Sequence, residues 1–311
     1  MPSHRDILPN RRARQRLTPA ALTASLLLAG AANAATPGSE AYYERTLMRA
    51  ADARCHLFTP QVGSALAAAQ AQARGAALRG GATNAGLRVL AGQAAGKQAV
   101  LACNSKDLAI ASARVKTAFD GYSRLIRMTF PGDDIAWQAD RTLPTRTTIW
   151  RLSQPTAAGP SPIVFGLAGD YAQPARLTAV GDFGEGQAPY AAQLMVRDVS
   201  RAPEPYLQAV SVAAWSRLPL TERVPPRSAV LAFTAEARED ADKTLLPKGS
   251  TSGVAFRFPA AAAQAMAGLD PREAVTLVFL VQDRSGARAR RAYVEVGDFA
   301  AGQAFLAAAG R

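Results

Sequence analysis

The sequence predicts an α+β protein in which a helical unit precedes a larger antiparallel β domain of the sandwich type. Apolar residues recur at helical spacing from about residue 37 to residue 131, and alternation typical of strands begins at Asp134. The chain has two cysteines, Cys55 and Cys103, and both fall in the helical part. A basic and then apolar segment at residues 1–34 precedes both parts.

Residues 1–34 have the order of a secretory signal peptide. Arginines between residues 11 and 16 precede an apolar, leucine-rich stretch that ends in Ala32-Asn33-Ala34, which is typical of a cleaved leader. The apolar stretch is shorter than the roughly 20 residues that a spanning helix needs. We therefore expect cleavage after Ala34 and a periplasmic or secreted mature protein with no transmembrane segment. A retained anchor helix is the alternative, and general secretion is favoured over the twin-arginine route.

A helical domain is predicted over residues 35–133. Ser39 is a candidate N-cap for the first helix, and Asn104 is one for the fourth. Pro60 is suited to the first position of the second helix, because its missing N–H would be unpaired there in any case. Gly80-Gly81 ends that helix. The four predicted helices cover residues 39–54, 60–79, 87–101 and 104–130.

Cys55 and Cys103 are expected to form one disulfide, because an even number of cysteines in an oxidising compartment indicates a structural bridge. The bridge closes a loop of 49 residues, for which chain entropy gives about 4 kcal/mol of stabilisation. A metal site that uses Cys55, His56 and Cys103 is disfavoured, because adjacent helical side chains point about 100° apart. Beyond the leader His56 is the one histidine, so histidine-based triads are excluded. No metal and no cofactor is expected.

A β-rich domain is predicted over residues 134–311. Two of its strands are apolar throughout, which suits strands that are covered on both faces. Short helices are predicted at residues 260–267 and 299–309. The predicted strands cover residues 135–140, 147–152, 162–168, 175–180, 192–199, 207–215, 230–235, 254–258, 274–281 and 291–296.

The β-rich part contains an internal repeat. Residues 180–192 and 296–308 agree at nine of thirteen positions, and both begin with Val-Gly-Asp-Phe. This predicts duplicated units at about 134–192 and 250–308, although chance similarity between alanine-rich stretches is an alternative. The aspartates Asp182 and Asp298 are expected to cap turns at strand ends. The alternative is that they meet as a carboxylate pair for acid/base or metal chemistry.

The chain is basic, with a net charge of +12, and residues 35–133 contain twelve basic and six acidic side chains. A basic exported surface favours anionic envelope components such as lipid headgroups or polysaccharide. The alternative is that these arginines are ordinary solvated charges. Nucleic acid is not expected, because no basic run with interleaved aromatic residues occurs. The candidate anion-contacting residues are Arg45, Arg49 and Arg54 in the first helix, and Arg284, Arg288, Arg290 and Arg291 in a hairpin.

The sequence resembles no characterised family, and its motifs indicate no catalytic site. The favoured hypothesis is a non-catalytic binding or scaffolding protein of the cell envelope. One alternative is an envelope hydrolase that uses two carboxylates, for instance on glycans. Another is a subunit of an envelope assembly with an unknown protein partner. Convergence of acidic side chains in a concave pocket between the domains would favour the hydrolase.

Overall fold

The computed structural model describes residues 37–142, 146–172, 174–184, 188–207, 218–283 and 286–307, all within the compact unit Ala35–Arg311. These residues form helices and two antiparallel sheets, which confirms the predicted α+β class. The predicted leader, residues 1–34, lies outside the described residues. The predicted domains 35–133 and 134–311 both lie in this one unit, and their boundary stays a prediction. No described helix combines the length and the apolarity needed to cross a membrane.

Four helices begin the described chain. Thr59, Thr83 and Ser105 start the second, third and fourth of them, and each side chain accepts a hydrogen bond from a backbone N–H three residues later at 3.0–3.4 Å. The predicted caps Ser39 and Asn104 are therefore wrong: the first helix already begins at Pro37, and Ser105 caps the fourth. The helices are α1 (Pro37–Cys55), α2 (Pro60–Arg79), α3 (Asn84–Val100) and α4 (Lys106–Ser123).

The disulfide between Cys55 and Cys103 is present, with a Cα–Cα distance of 5.6 Å. It joins the end of α1 to the turn between α3 and α4. Arg54 supports the same junction, because its guanidinium donates to the carbonyl of Ala99 at 3.0 Å and to that of Leu101. The first helix is thus tied covalently and by hydrogen bonds to the end of the third.

The fourth helix is shorter than its spacing predicts, and Arg127–Phe130 forms a strand instead. This strand pairs with Trp137–Asp140, which places Phe130 opposite Trp137. Both side chains are fully buried in the main core. Gly121 also weakens the last turns of the helix. Burial in a sheet therefore overrides the helical spacing of the apolar residues.

The described strands form two sheets. The larger has the order β1-β2-β3-β4-β5-β9-β8, the smaller has the order β11-β10-β6-β7, and all neighbours are antiparallel. The strands are β1 (Arg127–Phe130), β2 (Trp137–Asp140), β3 (Ile149–Ala158), β4 (Ser161–Gly169), β5 (Arg176–Gly181), β6 (Ala191–Arg197), β7 (Val230–Thr234), β8 (Ala237–Asp240), β9 (Val254–Arg257), β10 (Ala274–Asp283) and β11 (Gly286–Glu295).

The two sheets pack face to face, as the sandwich prediction requires. The rings of Phe256 in the larger sheet and Phe279 in the smaller lie 5.7 Å apart, a distance typical of packed aromatic pairs. Strands β1 and β8 are additions to the prediction, whereas the predicted strand at 207–215 lies almost wholly outside the described residues.

Two further helices, α5 (Ala260–Ala267) and α6 (Phe299–Ala307), cover the same core. Phe299 and Phe305 of α6 are fully buried there. Ala68 of α2 belongs to this cluster as well. Helix α2 therefore joins the core of the sheets and packs against α6, whereas Met48, Ala51, Leu66 and Leu108 form a separate cluster among the N-terminal helices.

The two copies of the internal repeat take different structures after the shared Gly-Asp-Phe. The hairpins β4–β5 and β10–β11 precede the copies in the same way. After Asp298 the chain forms α6, whereas after Asp182 it turns through Gly184, which has φ +74°, toward β6. The first copy also contains Pro189, which cannot continue a helix. At the positions equivalent to residues 184 and 185 the second copy has alanine, which favours the helix.

Candidate functional site

A cleft of about 510 Å³ opens beside α2. Residues of α1 and α2 form one side, and the segment after α5 together with the start of α6 forms the other. Volumes of this size are typical of small-molecule sites. The lining residues are Tyr42, Arg49, Ala67, Gln70, Ala71, Arg74, Gly75, Ala267, Gly268, Leu269, Pro271, Val296, Gly297, Asp298, Ala300, Ala301 and Ala304.

Small side chains form the walls of this cleft. Ala67, Ala71 and Gly75 are spaced four apart on α2 and therefore lie on one face of the helix. On the opposite side α6 contributes Ala300 and Ala304. None of these side chains extends beyond Cβ, so they leave room for the cleft beside the contact between α2 and α6.

Two arginines give the cleft positive charge. Arg49 is exposed, and its guanidinium donates to Oε1 of Gln70. Arg74 is half-buried and donates to the Leu269 carbonyl at 3.1 Å and to Oδ1 of Asn84 at 2.7 Å. These bonds orient both guanidinium groups at the wall of the cleft.

Asp298 is the only carboxylate among the described residues that line the cleft. Its side chain is 1% exposed, and Arg79 donates two hydrogen bonds to it, at 3.0 and 3.1 Å. Burial raises the pKa of Asp298, and the bond to Arg79 acts in the opposite direction. The Arg79 charge balances that of Asp298, which leaves Arg49 and Arg74 to set the sign of the cleft.

The close approach of Asp298 to α2 depends on Gly75. A Cβ atom at this position would overlap with Oδ1 of Asp298. The glycine therefore allows the carboxylate to lie directly against the helix backbone, within reach of Arg79 one turn later.

Buried charges lie next to the cleft and connect α2 and α3 to the sheets. Asp270 is fully buried and accepts two bonds of 2.8 Å from Arg272 and one of 2.9 Å from Nδ2 of Asn84. Burial acts to raise the pKa of Asp270, but the bonds and charge of Arg272 outweigh it and lower the pKa. Arg272 also donates to the Leu78 carbonyl at 2.9 Å, which satisfies the end of α2.

A second buried pair joins the same loop to β6. Arg197 donates to both carboxylate oxygens of Glu273, at 2.5 and 2.9 Å. Glu273 also accepts the backbone N–H of Asp270 at 2.9 Å. Burial raises the pKa of Glu273, which the Arg197 bond opposes. The loop at residues 270–273 is therefore held to β6 by an ion pair and to α2 and α3 by the hydrogen bonds of Arg272 and Asp270.

Glu295 holds the connection between β1 and β2. Its carboxylate accepts the backbone N–H groups of Asp133, Asp134 and Ile135 at 2.5, 2.9 and 3.0 Å. Burial raises the pKa of Glu295, against the lowering effect of these three bonds. The Arg223 guanidinium supplies compensating positive charge, 3.6 Å from Glu295 and 2.9 Å from Asp134.

Of the predicted anion-contacting arginines in α1, only Arg49 lines the cleft. Arg45 donates to the Ala69 carbonyl at 2.7 Å, and burial lowers its pKa. Arg54 caps carbonyls at the end of α3, as described above. Arg45 and Arg54 therefore connect helices within the protein.

The predicted arginines of the hairpin lie elsewhere. Arg284 is outside the described residues. Arg288, Arg290 and Arg291 lie on β11, an edge strand of the smaller sheet, and none of them lines the cleft. Arg290 donates to Oγ of Ser161 at 3.1 Å. Charged side chains on an edge strand also hinder pairing with another chain. Contact of these arginines with an external anion stays a prediction.

The structure gives Asp182 and Asp298 different partners. Asp182 accepts the N–H of Gly184 at 3.1 Å in a turn after β5, whereas Asp298 binds Arg79. No contact between the two carboxylates occurs among the described residues. Within the same residues, no group of three or more His, Cys, Asp or Glu side chains is placed to hold a metal ion.

Sequence reasoning missed the residues that build the cleft and its support, above all Arg74, Arg79 and the charged loop at residues 270–273. One signal was available: Asp270-Pro271-Arg272-Glu273 directly precedes the mostly apolar β10. Charges at the entry of a buried strand must be paired. Arg79 is separated from its own partner Asp298 by 219 residues, so no local pattern could identify that pair.

Comparison of the chain with protein-family models, curated proteins and solved structures finds no match.

Proposed function

We propose that the chain is an exported, non-catalytic binding protein of the cell envelope whose cleft holds an anionic ligand. The charge balance of the cleft supports this most directly: Arg49 and Arg74 line it, and its one described carboxylate is neutralised by Arg79. The disulfide between Cys55 and Cys103 is compatible with an oxidising compartment. It supports a periplasmic or secreted location, which the proposed cleavage after Ala34 would produce.

The position of the two arginines supports recognition of a carboxylate or phosphate group. Guanidinium groups offer a rigid fork of donors that matches these anions. The described bonds use one of the five guanidinium N–H groups of Arg49 and two of the five of Arg74. Donors therefore remain at the wall for a ligand, and the existing bonds limit the loss of side-chain entropy on binding.

The carboxylates favour binding over the alternative of a carboxylate-dependent hydrolase. Such an enzyme places two carboxyl groups on either side of the scissile bond. The cleft has Asp298 alone among the described lining residues, and this carboxylate is already held by two bonds from Arg79. A paired and buried carboxylate is poorly placed to transfer a proton to a substrate.

The proposal is tested by reversing one charge in the cleft. We expect Arg49→Glu to weaken the binding of inorganic phosphate about tenfold, a change that equals about 1.4 kcal/mol. Titrations followed by the arginine Nε–Hε NMR signals give the affinity and show whether Arg74 responds. Binding to the wild type should also weaken as salt is added.

Arg114→Glu is the matched control, because Arg114 is exposed on α4 and does not line the cleft. This variant makes the same change in net charge and is expected to alter phosphate binding less than about twofold. Equal losses in the two variants would assign binding to overall charge, and unchanged Arg74 signals in the wild type would contradict the proposed site.

A further inference from the structure

We propose that the ligand is a single-chain anionic amphiphile, with its head group at Arg49 and Arg74 and its hydrocarbon chain along the small side chains that α2 and α6 contribute to the cleft. This inference rests on the proposed function and specifies the class of ligand. It is drawn from the contrast within the cleft: the polar side chains of Arg49, Gln70, Arg74 and Asp298 line part of it, and alanine and glycine form much of the rest.

The wall favours hydrocarbon over sugar. Ala67, Ala71 and Ala304 present methyl groups, and the backbone N–H and C=O groups of a helix interior are already bonded to each other. A polysaccharide laid against such a surface would lose water from its hydroxyl groups without gaining hydrogen bonds, which is costly. A hydrocarbon chain covers the same surface favourably.

The shape of the wall favours a slender chain. No lining side chain of α2 or α6 between the two helices extends beyond Cβ except Gln70, Arg74 and Asp298, and each of these is already bonded. The wall therefore presents few side-chain atoms that would obstruct an unbranched chain. Its volume of about 510 Å³ is within the range of sites that enclose small molecules.

The Arg74 guanidinium, where we propose that the head group binds, is already held in one orientation by the protein. Arg74 is anchored to Leu269 and Asn84, and Asn84 in turn donates to the buried Asp270. This chain of bonds connects the guanidinium to the buried ion pairs of the 270–273 loop. Such support holds a recognition group in one orientation, which raises affinity by lowering the cost of ordering.

The test compares alkyl phosphates of increasing length, from ethyl to dodecyl, by calorimetry below their micelle-forming concentrations. Each methylene that enters the cleft should increase affinity about twofold to fourfold. Equal affinity for ethyl and dodecyl phosphate would overturn the inference and leave the proposed anion site intact. No binding of any alkyl phosphate would overturn both.

Ala71→Leu places a larger side chain in the cleft. It should remove most of the gain in affinity with chain length while the affinity for ethyl phosphate is kept. Ala76→Leu makes the same change on an exposed position of α2 that does not line the cleft, and it should behave as the wild type. Ala300→Leu makes the change from α6, so that the test does not depend on one variant folding. Equal chain-length dependence in all of these proteins would contradict the inference.

A vesicle experiment separates a single amphiphile from a membrane surface. Sedimentation with phosphatidylglycerol vesicles is measured for the wild type and for Ala71→Leu. If both proteins bind vesicles equally and neither binds monomeric dodecyl phosphate, the ligand is the bilayer surface, and the inference fails. Binding of the monomer that Ala71→Leu weakens supports it.

Discussion

Asp182 and Asp298 occupy equivalent places in two closely similar sequences, and their surroundings give them different roles. The Asp182 carboxylate accepts one backbone N–H at the surface of a turn. The Asp298 carboxylate is buried against α2 and bound twice by Arg79. The prediction of turn capping describes Asp182 well. It misses the ion pair of Asp298, because the sequence shows the aspartate and not the arginine that folding brings to it.

Replacing each of these aspartates by asparagine separates the two roles. Asp298→Asn should lower the free energy of unfolding by about 2–4 kcal/mol, because Arg79 loses its charged partner in a largely buried place. Asp182→Asn should change it by less than about 0.5 kcal/mol, because the asparagine oxygen still accepts the N–H of Gly184. Urea unfolding of both variants measures the difference, and similar losses in the two would contradict it.

At the scale of elements, the sequence predicts the presence of helices and strands well and their exact bounds less well. Pro60 and the mostly apolar run in β10 are local signals, and both elements occur as expected. The starts of α1, α3 and α4 and the end of α4 differ from the prediction. The residues of β1 continue the helical spacing of α4, yet they pair with β2. Only the partner strand decides that outcome, and it follows later in the chain. The cleft likewise needs α2 beside α6, a neighbour relation that no local pattern encodes.

Replacing glycine by alanine at two helical positions tests how closely α2 packs against α6. In an open helix, glycine to alanine stabilises by about 1 kcal/mol. Gly92→Ala in α3 should give a gain of this kind, because nothing lies within 4 Å of the added Cβ. Gly75→Ala should instead lower the free energy of unfolding by about 1–3 kcal/mol, since the methyl group displaces Asp298 from Arg79.

Thermal unfolding of the two alanine variants, measured beside the wild type, checks this pair of signs. A gain at Gly75 would mean that the carboxylate moves aside without loss, and that the contact between α2 and α6 is looser than the structure shows.

At the scale of the whole molecule, the ion pair between Arg79 and Asp298 and the hydrogen bonds of the buried Asp270–Arg272 pair connect the N-terminal helices to the β-rich part. Arg272 reaches the end of α2, Asn84 reaches Asp270, and Arg79 reaches Asp298. The charge excess of residues 35–133 predicted an outward-facing basic surface, but part of that charge faces the β-rich part instead. Composition records the number of charges, and only the fold decides which of them meet carboxylates.

Asp270→Asn removes one of these pairs and has a defined dependence on pH. Because the pKa of Asp270 lies below its ordinary value of 3.8 in the folded protein, its contribution to stability is present above that value. It is lost as the pH falls through the lowered folded pKa. We expect the variant to lose about 3–5 kcal/mol near pH 7, with a smaller difference from the wild type at pH 3.

Urea unfolding at pH 7, 5, 4 and 3 measures this difference. Asp240→Asn on the exposed β8 strand is the matched control and should lie within about 0.5 kcal/mol of the wild type at each pH. A difference for Asp270→Asn that grows toward pH 3 would contradict the assignment.

The late position of α6 in the chain has a consequence for biosynthesis. Phe299 and Phe305 fill the centre of the molecule, and Asp298 is the partner of Arg79, 219 residues earlier. The growing polypeptide therefore cannot complete its interior until α6 has left the ribosome. A product truncated before α6 would expose this unfinished interior to proteases.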